Sequence, residues 1–382
     1  MNVKKKSPFG QFPGGRHIGK NEIINVNKVL KSKSPYRFSG LKLQMYCNKL
    51  ETEMAKFVKK KHCLVVNSGT AALHCALHAI GVKPGDEVIV PAYGWSADLM
   101  TIVMMGAVPV IAPVSDDANL DLNKVKKCVS KKTKALIVIH MRGYPCDFRS
   151  IKNYFKKKNV VIIEDCSQCF GGVLNKVRVG NQGDISTMSF QYNKMITAGE
   201  GGALMTNSKK YLEKSVRFHN LGMNRKVGED PTKTNDPIGP NSITSCGLNY
   251  RMSEITAAVA FAQLKKIKKI INGCEKNWNT IYKKLSILKE SNLISFRKLD
   301  KKSNTNYAFL GFNRQEGISH SKIKKILKKN KIKFEHVNLK DSHHFEIWKF
   351  FLKREKFKFK DFSDKRSNIN LDKNYFCEIS SN

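Results

Sequence analysis

Acidic residues are few in this chain of 382 residues. There are 31 Asp and Glu against 69 Lys and Arg, which gives a formal net charge of +38. This imbalance raises the hypothesis of a basic nucleic-acid-binding or regulatory protein without catalysis. The basic residues are spread along the whole chain, however, and no zinc-finger or RNP-type motif accompanies them. The pattern favours a solvated basic surface, which also attracts anionic substrates, over a specific nucleic-acid site.

A long hydrophobic run is missing too. The longest apolar stretch, residues 99–114, is interrupted by Gly106, Pro109 and Pro113, and it is too short to span a membrane. The basic start of the chain, residues 1–6, leads into no apolar signal region. We therefore expect a soluble, cytoplasmic protein without a membrane partner.

The ten cysteines form no regular framework, which predicts free thiols. Cys166 and Cys169 have the spacing of a redox or zinc pair, but no second pair follows. His74 and His78 are four residues apart on a predicted helix, without the Glu beside the first that a zinc-protease helix requires. We predict no metal site, and a role in packing or solvation for these two histidines.

Short apolar, β-rich runs alternate with helical patterns between about residues 50 and 210. The runs at residues 88–90, 108–111, 135–139 and 160–163 are typical of buried strands. Such alternation predicts an α/β fold with a mostly parallel sheet and helices on both faces. Ligands of such sheets bind at the carboxyl ends of the strands, and several polar motifs fall at those ends.

The last third of the chain has a different pattern. A long helical pattern begins at residue 252, and Ile323, Ile326 and Leu327 form an apolar stripe that ends at Asn330. Residues 357–360 alternate as an edge strand does, or belong to a poorly ordered tail. We predict a large domain with an N-terminal arm over residues 1–255, then a bridging helix and a smaller C-terminal α/β domain over residues 256–382.

One lysine, Lys194, stands at an unusual place. It follows an apolar run at residues 185–190 and precedes a glycine-rich turn at residues 199–202, after which a second apolar run begins. A lysine there is costly to bury unless it reacts or pairs with an acid. It is either an ordinary surface lysine or an amine that forms a Schiff base with a cofactor aldehyde.

Three further signals are ambiguous when taken singly. Residues 67–73, NSGTAAL, open a helix, so they form either a helix cap or an anion site at the helix N-terminus. Asp165 ends a predicted strand, either at the surface or as the partner of a cation, and such an ion pair is worth roughly 4 kcal/mol. A pair of that strength keeps the pyridine nitrogen of pyridoxal phosphate (PLP) protonated, as its electron-sink chemistry requires. Trp95 either belongs to the core or stacks on an aromatic ring.

The order of these signals is more specific than any one of them. A phosphate turn, an aromatic residue, a strand-end Asp and a Ser-x4-Lys motif with a glycine-rich turn follow one another. With these motifs the chain resembles the DegT/StrS-type sugar aminotransferases, which are PLP enzymes of the aspartate-aminotransferase fold (fold type I). The resemblance runs from about residue 15 to residue 264. It rests on residues 67–73, 84–91, 164–168, 189–202 and 247–254.

The resemblance implies roles for eight residues. Lys194 matches the Schiff-base lysine and proton carrier, Asp165 the partner of the pyridine nitrogen, and Gln168 the contact of the ring hydroxyl. Trp95 falls where an aromatic side chain stacks on the ring. The remaining four match phosphate contacts: Gly69, Thr70, Ser189 and Asn249, the last of which reaches over from the neighbouring subunit. Such a shared site implies a homodimer.

The function implied is the transfer of an amino group from an amino acid, with glutamate as the expected donor, to a keto-sugar or keto-sugar acid. The product would be a precursor of the cell envelope or of another glycan. Residues 140–147 and 189–194 look most like the aminotransferases that form 8-amino-3,8-dideoxy-manno-octulosonate, a sugar acid of lipopolysaccharide. Arg142 is a candidate for the substrate side, with a structural arginine as the alternative.

One other reaction exists within the same family. Some relatives are PLP-dependent sugar dehydratases, which carry a histidine in place of the lysine, so Lys194 argues against dehydration. The chain also departs from the family in its last third, because the usual Pro-Leu-His-like segment is not evident near residues 337–340.

Overall fold

The structure is a computed structural model. It describes residues 12–40, 42–224, 243–299, 302–332, 334–336, 343–362 and 374–378. The helices are α1 (Pro13–Arg16), α2 (Lys20–Ser32), α3 (Tyr46–Val58), α4 (Gly69–Ile80), α5 (Ser96–Met104), α6 (Leu122–Cys128), α7 (Phe148–Phe155), α8 (Lys209–His219), α9 (Glu254–Lys265), α10 (Ile267–Glu290), α11 (His320–Lys329) and α12 (Phe345–Arg354).

The strands are β1 (His62–Val66), β2 (Glu87–Pro91), β3 (Val108–Ala112), β4 (Thr133–Ile139), β5 (Val161–Asp165), β6 (Val173–Leu174), β7 (Val177–Arg178), β8 (Ile185–Ser189), β9 (Gly202–Thr206), β10 (Ile294–Phe296), β11 (Phe309–Arg314), β12 (Glu335–His336), β13 (Lys360–Asp361) and β14 (Asn374–Glu378). A 3-10 turn, Met141–Gly143, follows β4. The four strands predicted from the apolar runs are confirmed as β2, β3, β4 and β5.

Eight strands form one large sheet in the order β1-β9-β8-β5-β4-β2-β3-β13. Only β9 is reversed: it pairs antiparallel with both β1 and β8, so β1 and β8 run the same way. The pairs from β8 across to β13 are all parallel. The prediction of an α/β fold with a mostly parallel sheet is therefore confirmed.

The central strands are buried along almost their whole length because helices cover both faces of the sheet. Every residue of β2 is buried, as is every residue of β9. Helix α4 packs on one face, where His78 stacks on Phe218 at 4.1 Å between ring centroids and His74 lies 2.9 Å from the Tyr250 hydroxyl. The prediction that these two histidines serve in packing is confirmed.

The sheet direction places five chain segments at one edge. Strands β1, β2, β4, β5 and β8 are parallel, so their carboxyl ends lie together. At or directly after these ends lie the start of α4, the loop before α5, the 3-10 turn, Asp165 and the turn that contains Lys194. The strand register pairs Ile139 of β4 with Asp165 of β5, and Asp165 with Thr187 of β8. The ends of these three strands are therefore nearly aligned along the strand direction, and the polar residues near them lie close together.

A second sheet has four antiparallel strands in the order β10-β11-β14-β12. Helix α11 packs there through Ile323 and Leu327, which are buried, and it ends with Asn330 at its C-cap, as the sequence predicts. The long helical pattern from residue 252 is two helices, because Lys266 between α9 and α10 interrupts the regular backbone.

The chain returns to the large sheet near its end. Gly94 N–H donates to the His343 carbonyl at 2.9 Å and Phe345 N–H to the Ala92 carbonyl at 3.0 Å. Helix α12 then buries Trp348 in the core of the large sheet, and β13 adds an edge strand beside β3. The domain boundary at residue 255 remains a prediction. Such a boundary has to accommodate α12 and β13, which follow residue 255 in the chain and yet pack on the large sheet. Residues 337–340 lie outside the described residues.

All ten cysteines are free thiols, and nine of them are buried. Within the described residues, no helix is both long and apolar enough to cross a lipid bilayer.

Candidate active site

A cavity of about 960 Å³ opens at the carboxyl edge of the large sheet. Seven of the eight residues singled out from the sequence line it: Gly69, Thr70, Trp95, Asp165, Gln168, Ser189 and Lys194. They come from four separate segments spread over more than a hundred residues of chain. The cavity also receives residues from α1, from α10 and from the second sheet, so it lies where these parts of the fold meet.

One end of the cavity is built to receive an anion. Helix α4 begins at Gly69, and the Ser68 hydroxyl caps it by accepting from the Ala71 N–H at 3.0 Å. The N–H groups of Gly69 and Thr70 precede the helical hydrogen-bond ladder, so they face solvent or a ligand with the positive end of the helix dipole behind them. The cap and the anion site, which were alternatives in the sequence, are compatible.

Glycine is required at the start of this helix because the Ser189 side chain lies against it. A Cβ added at Gly69 would sit 2.8 Å from the Ser189 Cβ, well inside contact distance. Ser189 ends β8, and its hydroxyl accepts from the Gln191 N–H at 3.2 Å. The helix start and the strand end therefore form one close-packed cradle.

Lys194 lies in the tight turn after β8. Its N–H donates to the Gln191 carbonyl at 3.0 Å, and its carbonyl accepts from the Gly14 N–H at 3.3 Å. The side chain is half-buried. Burial lowers the pKa of the Lys194 amine, and the attraction of Asp165 and Asp98 opposes this only in part. A lowered pKa leaves more of the amine neutral at a given pH, which is the form that attacks a carbonyl.

Asp165 is the buried last residue of β5. Its Oδ1 accepts from the Ser167 N–H at 2.9 Å, which fixes the carboxylate at the turn after the strand. Gln168 follows in the same turn, and its Oε1 accepts from the Arg142 N–H at 2.9 Å. This bond ties the segment after β5 to the segment after β4.

Arg142 lies on the wall of the cavity and is buried. Its guanidinium lies 3.4 Å from the Tyr93 hydroxyl and 5.4 Å from the centre of the Phe309 ring. Its backbone has a left-handed φ of 53°, a conformation that is uncommon for a non-glycine residue. The guanidinium thus contacts neighbouring side chains and also borders the cavity. The position of Arg142 is therefore compatible with both alternatives from the sequence, a structural arginine and a residue on the substrate side.

The C-terminal part of the chain contributes a histidine that the sequence did not single out. His343 lines the cavity, with its ring centroid 5.2 Å from that of Trp95 and 5.9 Å from that of Tyr93. The Trp95 side chain is 49% exposed, so one part of it is open to the cavity. No spacing in the sequence indicates this contact, because it depends on the backbone pairing of residues 343–345 with residues 92–94.

A second acid, Asp98, also lines the cavity and was missed. It is the third residue of α5 and only 1% exposed, with the Asp165 carboxyl and the Lys194 amine as its charged neighbours. In the sequence it is indistinguishable from the acids that ordinarily stabilise the first turn of a helix.

Asn249 lies outside the cavity. It is exposed, and its backbone carbonyl accepts from the Asn67 Nδ2 at 3.4 Å. Its expected role, which is contact with a phosphate of the neighbouring subunit, remains a prediction. Within the described part of the chain, no three His, Cys, Asp or Glu side chains are grouped so that they could hold a metal ion.

Comparison with known proteins identifies similar chains. Residues 16–361 match the model of the DegT/DnrJ/EryC1/StrS aminotransferase family. A GDP-perosamine synthase of Vibrio cholerae is 38% identical over 229 residues, which cover 60% of this chain and 59% of the relative. The match thus spans about three fifths of that relative's length.

Two solved structures share the fold along almost the whole chain. An aminotransferase from Psychrobacter cryohalolentis is 25% identical and superimposes with a TM-score of 0.84, covering 97% of this chain and 93% of the other. The GDP-4-keto-6-deoxy-D-mannose-3-dehydratase of E. coli with bound hydrated PLP is 21% identical, with a TM-score of 0.82 and coverage of 98% and 96%. The latter likeness concerns the fold alone.

Proposed function

Because the chain belongs to the DegT/DnrJ/EryC1/StrS aminotransferase family, we propose that it is a PLP-dependent aminotransferase. It moves an amino group from an amino-acid donor, with glutamate as the expected one, to a keto-sugar or keto-sugar acid. One observation carries the proposal: Lys194, an amine whose pKa burial lowers, borders the same cavity as Asp165 and the start of α4.

The residues present fit PLP in three respects. The start of α4 offers N–H groups for a phosphate, in a cradle that a Cβ at Gly69 would fill. Asp165 supplies a buried carboxylate for a protonated ring nitrogen. Lys194 supplies an amine for the aldehyde. A phosphate, a ring nitrogen and an aldehyde are three of the polar groups by which this cofactor is held.

When bound, PLP supplies the electron sink that makes a carbon-bound proton next to the substrate nitrogen acidic. Lys194 would bind the aldehyde and, once released by the donor, move the proton between the donor carbon and the cofactor carbon as general base and acid. Its lowered pKa favours the neutral amine, which is the form that acts as a base. Asp165 would favour the protonated ring, and Trp95 would cover one face of the ring and exclude water.

The lining of the cavity favours an anionic acceptor. Apart from Lys194, its cationic side chains are Arg16, Arg142, Lys284 and Lys331, and its acids are Asp98, Asp165 and Glu200. Asp165 and Asp98 act on Lys194. Among the other described charged side chains of the lining, the cations outnumber the one acid, Glu200, so the lining has an excess of positive charge. We propose a keto-sugar acid of the octulosonate type as the acceptor. The relative named GDP-perosamine synthase makes a GDP-linked keto-sugar the second candidate.

We also propose a homodimer with shared sites. Asn249 is exposed, and Leu221 and Leu248 beside it expose 43% and 41% of their surface. The Leu221 N–H donates to the Leu248 carbonyl at 3.2 Å, so the two leucines belong to one surface. A second copy of the chain would cover these side chains and bring Asn249 to its phosphate site. The free thiols further favour a reducing, cytoplasmic location.

The cofactor assignment is tested by the absorption spectrum of the purified protein after incubation with PLP. We expect the visible band of a lysine-bound cofactor, its loss in Lys194→Ala, and its retention in Lys209→Ala, whose side chain is 80% exposed. A Lys194→Ala protein that keeps the band and transaminates at the wild-type rate would refute the proposal. Salt-sensitive DNA binding without any PLP would favour the nucleic-acid hypothesis instead.

The acceptor is tested by measuring the second half-reaction alone, with the amino form of the loaded enzyme and a panel of keto-sugar acids, GDP-linked keto-sugars and neutral keto-sugars. We expect turnover only with anionic acceptors, and a rise in KM of about tenfold or more in Arg142→Gln, the loss expected for one hydrogen bond to a charged group. Arg149→Gln is the matched control, because Arg149 is exposed on α7 away from the cavity. Equal turnover of a neutral keto-sugar would refute the anionic assignment, and a dehydrated product would indicate the dehydratase reaction.

A further inference from the structure

Asp98 is held at the wall of the cavity by the first turn of α5. Its N–H donates to the Trp95 carbonyl at 3.1 Å, and its carbonyl accepts from the Thr101 hydroxyl at 3.2 Å. Its position is therefore fixed by the helix that follows Trp95. The side chain is 99% buried and yet borders the cavity, so it contributes to the lining without reaching bulk water.

The Asp98 carboxyl group receives no donor from its surroundings. Among the described residues, no N–H or O–H group of another residue donates to either of its oxygens, and the N–H group that lies beside it is its own. An acid at the third position of a helix ordinarily reaches back to cap the free N–H groups of the first turn. The N–H group beside the Asp98 carboxyl is its own, and it already donates to the Trp95 carbonyl, so helix capping does not explain why an acid is buried here.

The close partner of Asp98 is another carboxyl group. The side chains of Asp98 and Asp165 are in hydrogen-bonding contact, and the Lys194 amine is the opposite charge that acts on Asp98. Two buried carboxylates in contact cannot both be ionised at low cost. Burial first, and then the Asp165 charge, raise the pKa of Asp98 well above its usual range. Arg142 also acts on Lys194, but as a cation it adds no further negative charge to the group formed by Asp98, Asp165 and Lys194.

We infer that Asp98 and Asp165 hold one proton between them, and that the Asp98 carboxyl carries it and donates it to Asp165. Asp98 is then a positioning residue. Asp165 Oδ1 already accepts from Ser167, so a second donor fixes the plane of its carboxylate. The shared proton also leaves a single negative charge beside Lys194, because an ionised Asp98 would stabilise the protonated amine and reduce its nucleophilic fraction.

Infrared difference spectroscopy of the full chain without cofactor tests the shared proton directly. We expect the wild-type minus Asp98→Asn spectrum near neutral pH to show the carbonyl band of a protonated carboxylic acid. Asp117→Asn is the matched control: although burial opposes it, Arg297 holds the pKa of Asp117 below its usual range, so this carboxyl has no proton to lose. If the wild-type spectrum shows no such band, or if Asp98→Asn keeps the whole band, the inference is refuted.

The positioning role is tested by PLP affinity, and this part rests on the proposed function. The amide of Asp98→Asn can still donate to Asp165, whereas Asp98→Leu has a similar size and no donor. We expect the Kd of Asp98→Asn to stay within about threefold of wild type and that of Asp98→Leu to rise about tenfold to a hundredfold, the loss expected for one buried hydrogen bond to a charged group. Equal affinities of the two variants would refute the positioning role.

The two parts fail independently. If the wild-type chain binds no PLP at all, the proposed function fails, and the infrared band still decides whether the proton is shared. If Asp98→Leu does not fold, Asp98→Ala, which also lacks a donor, replaces it in the affinity comparison. A pH titration of the wild-type band is a second, variant-free test of the shared proton. The band should then persist at pH values where an ordinary Asp, with a pKa of about 3.9, is fully ionised. If the band is lost on raising the pH before neutral pH is reached, the inference is refuted.

Discussion

Replacing Gly69 with alanine tests the anion cradle without removing any functional group. The added Cβ would sit 2.8 Å from the Ser189 Cβ and 3.3 Å from its Oγ. Carbon atoms in contact lie about 3.5–4.0 Å apart, so the helix start and the strand end have to separate by roughly 0.7 Å or more. Such overpacking costs about 1–3 kcal/mol, and the better helix propensity of alanine offsets up to about 1 kcal/mol.

The expected loss of stability in Gly69→Ala is therefore about 0–3 kcal/mol of unfolding free energy. PLP affinity is also lost, because the N–H groups and the Ser189 hydroxyl no longer converge. Losing one hydrogen bond to a charged phosphate corresponds to a rise in Kd of about tenfold to a hundredfold. Urea denaturation of the cofactor-free protein and a PLP titration followed by absorbance measure the two quantities separately.

Two controls separate the steric effect from the loss of contacts. Gly19→Ala adds a methyl group where no atom lies within 4 Å, so its PLP affinity should equal that of the wild type. The double variant Gly69→Ala with Ser189→Gly restores room but removes the hydroxyl, so it should recover stability and not affinity. A Gly69→Ala protein that binds PLP as tightly as wild type would show that the phosphate is not held at this helix start.

Three other predictions concern stability. Lys194→Met should raise the Tm of the cofactor-free protein near neutral pH, because the folded state lowers the pKa of this amine and so disfavours its charged form. Differential scanning calorimetry should show that this gain in Tm shrinks as the pH rises towards the ordinary lysine pKa. A gain that grows with pH would contradict the prediction. Glu164→Gln should lower the free energy of unfolding by about 3–5 kcal/mol at pH 7. This buried carboxylate accepts from the N–H groups of three residues and from His140, and these hydrogen bonds outweigh the effect of burial and lower its pKa. Urea denaturation should show the difference from wild type shrinking as the pH falls below the ordinary Glu pKa, and equal stabilities at pH 7 would count against the prediction. Trp348→Ala should lose about 3–5 kcal/mol and Phe350→Ala, 69% exposed on the same helix, less than about 0.5 kcal/mol; similar losses would mean that α12 does not pack on the large sheet as described.

The sequence predicted the parallel sheet because its strands are short, apolar and separated by helical patterns. It also predicted that Asp165 and Lys194 follow strand ends, since the apolar runs stop just before or at these residues. In a parallel sheet the strand direction alone brings such residues to one edge. Local pattern and sheet geometry were therefore enough to gather seven of the eight candidate residues around one cavity.

The sequence did not predict the contacts that depend on long-range pairing. His343 reaches Trp95 because residues 343–345 pair with residues 92–94, and β13 joins the large sheet although it follows the second sheet's helices in the chain. An edge strand of two residues carries no pattern that names its neighbour. Such pairing is decided by which sheet edge is open once the rest of the fold has formed.

The sequence by itself determined the kind of fold, the order of the motifs and the lysine on which the proposed chemistry depends, because apolar periodicity and residue type are local properties. The tertiary structure decided the electrostatic state of that lysine. Burial lowers the pKa of Lys194, and Asp98 places a second carboxyl group against Asp165 from a helix 67 residues earlier in the chain. Charge and desolvation act through space, so the proton that Asp98 is inferred to carry could not be assigned until the chain was folded.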